Sequence, residues 1–270
     1  MTINEIKQKL SGPEYEFARI DPRIANNCIF AVIAGSHAYG TATENSDIDL
    51  RGCILNRSAD LLGRKPVKSI IDEATDSVFH PFNKTIDLLK DCNPNMIELL
   101  GCPAENYVHM TTIGQELLDH RDMFLSQLVI NKFQGYAAKQ MKIIASSEIK
   151  TKPREKQCKE LAALVRLYLT AIDILEKQEI ITCRKQEAEL LLAIRRGEYL
   201  TENPTAYGQL YRDEYRTIVE ELSARFKYAA ENTMLPKYPD EDAIHEFQVS
   251  VNRRAIDDNF VPAVLEYTRI

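Results

Sequence analysis

The chain of 270 residues lacks any apolar run approaching the roughly 20 residues that a helix needs to cross a bilayer, which excludes a membrane-spanning residence. It also lacks paired cysteines. Cys28, Cys53, Cys92, Cys102, Cys158 and Cys183 form no C-x-x-C spacing and sit mostly beside apolar residues. They read as small buried thiols, not as zinc ligands or disulfides, and suit a reducing cytosol. A basic-then-apolar leader is missing at the start, where Thr2-Ile3-Asn4-Glu5 reads as the capping box of a short helix. Positive charge is not in excess: a net charge of −6 and a pI near 5.5 exclude whole-surface attraction to nucleic acid, so any such contact has to come from a local basic patch. Internal repeats and low-complexity tracts are absent. What is present, 44% hydrophobic and 27% charged residues, suffices for one large or two small domains with a proper core.

Cys28-Ile-Phe-Ala-Val-Ile-Ala34 is a continuous apolar run ending at Gly35, the pattern of a strand covered on both faces. Ile48 to Leu55 reads as its neighbour. Ser69 to His80 reads as a third strand with imperfect alternation around Asp72-Glu73 and Asp76. Helices are predicted over Asn83–Leu89 and, after a turn at Asn93-Pro94, over Asn95–Leu100. From about residue 122 the period turns helical, with Phe124, Leu128, Phe133, Ala137, Met141 and Ile144 in step until Lys150–Pro153. A second helix runs from about Glu155 and a third from Arg184 to Arg196, stopped at Gly197. A fourth follows Asn203-Pro204 through Tyr207, Tyr211 and Phe226. Ile244–Val251 reads as a strand. The expectation is an α+β fold, with a small mixed sheet flanked by helices over 1–121 and an α-helical domain over 122–270.

The chemistry concentrates in Ala34-Gly-Ser-His-Ala-Tyr-Gly-Thr-Ala-Thr-Glu-Asn-Ser-Asp-Ile-Asp-Leu-Arg51. Gly35 ends the first strand without a Cβ, so a phosphate has room to approach the backbone, and Ser36 offers a hydroxyl and an amide beside it. Asp47 and Asp49, two apart on a strand, project from one face and suit a shared pair of Mg2+ ions, with Mn2+ as the alternative. Such a pair stabilises the attacking and leaving oxygens of a displacement at phosphorus. A third carboxylate from a neighbouring strand completes sites of this kind; Asp76 is the first candidate and Asp72 the second. Arg51, on the same face by the two-residue period, reads as an ion-pair partner of Asp49 or a phosphate contact. His37 is placed at the nucleotide pocket or at a helix start.

The string GSHAYGTATENSDIDLRGCI resembles the signature of nucleotidyltransferases in the DNA polymerase beta superfamily, in the group found near RNA ligases and in phages. Asn93-Pro-Asn-Met-Ile-Glu98-Leu-Leu resembles that group's N-P-x-x-x-E-L-L segment and Phe133-Gln-Gly-Tyr136 its F-x-G-Y helix. Arg184 to Glu198 resembles its late helix ending in R-x-G-E. A K-x-x-x-H-x-x-R helix keeps Lys159 and Arg166 but has Ala163 in place of the histidine. The resemblance implies an α/β nucleotidyltransferase palm followed by a helical domain that binds nucleotide and acceptor. It implies transfer of an NMP from an NTP to a hydroxyl, with release of pyrophosphate. Asp47, Asp49 and Asp76 are then the catalytic metal ligands, and Gly35, Ser36, His37, Lys159 and Arg166 the nucleotide contacts.

Between Lys132 and Arg166 nine basic residues face three acids, a local balance of +6 that serves either as a solvated face or as a grip on triphosphate or RNA. Glu98 reads as an orienting group, and His80 as a proton acceptor or a satisfied buried histidine. Tyr207, Tyr211 and Tyr215 form a packing stripe before they form a base-stacking platform. The acceptor, RNA or tRNA in the first reading, stays open against a protein or small molecule. A non-catalytic nucleotide-binding module is the reading from another class. A cytoplasmic enzyme with no membrane partner is expected; the sequence is silent on oligomeric state.

Overall fold

The computed structural model describes residues 3–43, 46–202, 209–257 and 259–265. The capping threonine Thr2, the helix start at Asn203-Pro204 and Tyr207 lie outside them. The fold is the expected α+β palm followed by a helical region. The chain divides into two compact units, one of Met1–Asp91, Leu99–Phe124 and Pro239–Ile270, the other of Cys92–Glu98 and Leu125–Tyr238. The last segment, Pro239–Ile270, groups with the unit that holds the sheet.

The sheet unit holds five strands in the order β3-β4-β2-β1-β5, with β1 Cys28–Ile33, β2 Leu50–Ile54, β3 Ile70–Asp72, β4 Ser77–Pro81 and β5 Tyr107–Met110. β1 runs antiparallel to β2 and β5, β2 parallel to β4, and β3 antiparallel to β4. One face buries Ile33, Leu50, Ile54 and Phe79 against Ile6, Leu10, Tyr15 and Ile24 of the N-terminal helical segment. Strand alternation then sends Arg51, Val78 and His80 to the opposite face, which the helix Phe82–Lys90 partly covers.

Two elements differ from the sequence reading. Ser69–His80 is a hairpin, because the Asp72 carboxylate accepts from Thr75 N at 2.9 Å and Thr75 Oγ1 at 2.7 Å, closing a turn that Asp76 leaves with φ +48. Ile244–Val251 lies inside a helix, Glu241–Ile256, whose Asp240 cap accepts from Ala243 N. That helix is pinned to the sheet unit by Arg254 on Glu116 at 2.9 and 2.6 Å and by Phe247 against Phe82.

In the helical unit, Leu128–Ala145, Ala188–Arg196 and Asp213–Asn232 pack on the long central helix Arg154–Lys177. Gly197 stops the second of these as expected, although its start falls four residues later than Arg184. Arg184 is withdrawn from that helix into the interior, where it pairs with Asp173 and donates to Thr170 Oγ1 at 2.9 Å. Tyr211 and Tyr215 do pack, their ring centroids 5.0 Å apart. No helix of the described residues is long and apolar enough to cross a membrane.

Asp173→Ala would strand the Arg184 guanidinium, whose side chain is 1% exposed. A loss of about 3–5 kcal/mol is expected in urea unfolding. Asp173→Leu combined with Arg184→Met should recover most of it; a single-variant cost below about 1 kcal/mol would contradict a buried pair of this kind.

Candidate active site

One hydrogen bond past the last β1–β2 pair, Ala34 N donates to the Asp49 main-chain oxygen at 2.8 Å. This sets Gly35 against the Asp49 side chain. Gly35 has φ +60, and a Cβ there would overlap Asp49 Oδ2. The missing side chain thus makes room for a carboxylate, where the sequence suggested room for a phosphate.

Asp47 and Asp49 lie in the extended stretch that leads into β2, just before its first residue Leu50. Ile48 and Leu50 are buried in the core while Asp47 is exposed and Asp49 half-buried, so the two carboxylates share the face away from that core. Tyr15 holds the stretch from beneath: its hydroxyl donates to the Ile48 carbonyl at 2.9 Å. Burial, then the charges of Glu14, Asp49 and Asp47, push the Tyr15 hydroxyl up to about 12, so it remains a protonated donor. Nothing in the local motif pointed to Tyr15, which sits 33 residues earlier in the chain.

The parallel β2–β4 register begins at Arg51↔Val78, two residues after Asp49 on one side and two after Asp76 on the other. Asp76 stands on the turn before β4, and both its carboxylate and its carbonyl are taken by Arg51. Asp72, the second candidate, is committed to the Thr75 turn. Asp47 and Asp76 line one cavity of about 740 Å³ with Glu14, Tyr15, Ser46 and Glu73.

His37 follows Ser36 on the short helix Gly35–Tyr39. Burial lowers its pKa, opposed by a main-chain hydrogen bond at Ser46, and its Nε2 is buried with no partner among the described residues. The imidazole thus links the glycine-serine turn to the start of the aspartate stretch.

Among the described residues no three acidic, histidine or cysteine side chains converge into a cage for a cation. Magnesium seldom uses such a cage; it is held by one or two carboxylates and completed by water and substrate phosphates. Two hard oxygen donors, Asp47 lining an open cavity and Asp49 seated against bare backbone at Gly35, fit that mode of binding.

The helical unit carries the other sequence candidates. Arg166 pairs with Glu98, which is 3% exposed and receives Thr170 as well, while Thr182 donates to the Glu98 carbonyl at 2.6 Å. Lys159 is exposed and pairs with Glu155 at 3.5 Å, so it and Arg166 have separate partners. Ala163 between them is half-buried.

A mixed palm sheet with paired aspartates beside a Gly-Ser turn defines the class of DNA polymerase beta-like nucleotidyltransferases. The chain matches the RNA repair pathway DNA polymerase beta family, RlaP, over residues 11–250 and belongs to it. No curated protein matches the chain. Membership supports a nucleotidyltransferase-type role in RNA repair.

Gly35→Ala would displace the Asp49 carboxylate, and a shift of about 1 Å in a reacting group costs on the order of 100-fold in rate. Activity should fall by about that factor in Gly35→Ala. Tyr15→Phe, which orphans the Ile48 carbonyl, should lose about 1–3 kcal/mol of stability. Unchanged activity in Gly35→Ala would remove the Gly35–Asp49 contact from the account.

Proposed function

We propose that this protein transfers an NMP from an NTP to a hydroxyl of an RNA or tRNA acceptor and releases pyrophosphate. The observation that carries the reading is the Asp47–Asp49 pair, with Asp47 lining an open cavity and Asp49 held against Gly35. Gly35 and Ser36 take the triphosphate, and His37 beside them contacts the nucleotide. Asp47 and Asp49 hold divalent cations, with Asp76 as third ligand once Arg51 exchanges it for substrate phosphate. Bound Mg2+ neutralises charge on the reacting phosphate and on the pyrophosphate that leaves. The acceptor oxygen forms a bond to the α-phosphorus as the bond to pyrophosphate breaks. In this reading Asp76 receives the acceptor's proton.

The test is transfer from each α-labelled NTP to RNA with Mg2+, with and without chelator. Asp47→Asn and Asp49→Asn should each lower transfer at least about 100-fold, since the cation contributes several kcal/mol to the transition state. Melting temperatures should stay near wild type. Transfer that survives both substitutions, or label that enters protein in place of RNA, would refute the proposal.

A further inference from the structure

Four residues farther along β4 from Asp76, the catalytic face carries a second polar cluster. Ser69 Oγ lies 2.7 Å from His80 Nδ1 and 2.9 Å from Lys84 Nζ. Cys53 and His80 are register partners, so His80 stands on the face of Asp49 and Arg51, and Ser69 reaches it from the strand's outer neighbour. The direction of one hydrogen bond is fixed by chemistry. Lys84 has only protons to give, so it donates to Ser69 Oγ, which keeps one proton to give and one lone pair to accept with. With that proton given to His80 Nδ1, the neutral imidazole carries its own on Nε2. Burial, followed by the charges of Lys84 and Arg51, lowers His80 to about 4, in keeping with this neutral tautomer.

Around this imidazole stand two cations and no carboxylate among the groups that shift it. Lys84 is exposed and has no ion-pair partner among the described residues, in a protein of net charge −6. Every proton still free to be given, two on Lys84 and one on His80 Nε2, suits an anion. At about 3.3 Å per residue the cluster sits roughly 13 Å down the sheet from the Asp49–Asp76 level. It lies away from Gly35 and Ser36 in both directions, since β1 flanks β2 on one side and β4 with β3 on the other.

We propose that Lys84, His80 and Ser69 form a subsite for a phosphate of the RNA acceptor, distinct from the triphosphate seat at Gly35 and Ser36. This rests on the nucleotidyltransferase reading and narrows the acceptor to a phosphodiester strand. Lys84 makes the charge contact. Ser69 is a positioning residue that fixes the His80 tautomer and so keeps its Nε2–H toward the strand.

The test is equilibrium binding of fluorescent single-stranded RNA to the full chain without NTP, across a salt series, for wild type, Lys84→Met and Ser69→Ala. Lys84→Met should weaken RNA binding several-fold and reduce the salt slope by about one counterion, with the KM for NTP unchanged. Ser69→Ala should leave the salt slope alone and shift the His80 ring nitrogens, read by 15N NMR, toward a tautomer mixture. An unchanged slope in Lys84→Met overturns the subsite. So does a wild-type slope beside His80 shifts produced by inorganic phosphate alone, which would assign the cluster to a free anion. Loss of transfer in Asp49→Asn with the Lys84 effect absent would sink the subsite and spare the proposed reaction. A Lys84 effect on RNA binding in a protein that transfers nothing would do the reverse.

Discussion

The site depends on one close approach, the Asp49 carboxylate lying against the backbone of Gly35. Two strands have to meet for it: the Ala34–Asp49 hydrogen bond sets their separation, and glycine at φ +60 leaves the space. Ile48 and Leu50 anchor the other side of the stretch in the core, and Tyr15 fixes the carbonyl between them. Geometry at the aspartates is therefore a product of packing on the far face of the sheet.

Charge is distributed in a definite order along the sheet face turned away from the N-terminal helical segment. Carboxylates gather where β2 and β4 begin, Arg51 bridges to Asp76, and the cationic Lys84 with its neutral histidine follows. Asp47 and Asp76 line one cavity with Glu14 and Glu73, and Arg51 offsets the charge of Asp76. In the helical unit the charges have a different task. Glu98 with Arg166 and Asp173 with Arg184 tie the Cys92–Glu98 segment and the Thr182–Arg184 stretch to the central helix.

Much of this was legible in the sequence because it is local. The run Cys28–Ala34, the glycine-serine bend and the alternation Asp47-Ile48-Asp49 each report a backbone period or a turn within a few residues. Ser69–His80 misled because its apolar residues fit one interrupted strand, whereas Asp72 accepts from Thr75 and folds the segment into a hairpin. Ile244–Val251 misled because a short apolar spacing fits either period, and the Asp240 cap and packing on Phe82 decide for helix. Arg166 looked free to meet phosphate because its partner Glu98 is 68 residues away. Tyr15 and the Ser69–His80–Lys84 chain were invisible for the same reason, being contacts made only by the fold.

The most direct test of the central claim is a crystal structure of the protein with Mn2+ and a non-hydrolysable NTP, using anomalous scattering to place the metal. The account predicts a manganese peak bound by carboxylate oxygens of both Asp47 and Asp49, with the triphosphate beside Gly35 and Ser36. Manganese bound elsewhere, or a triphosphate seated away from that turn, would contradict it.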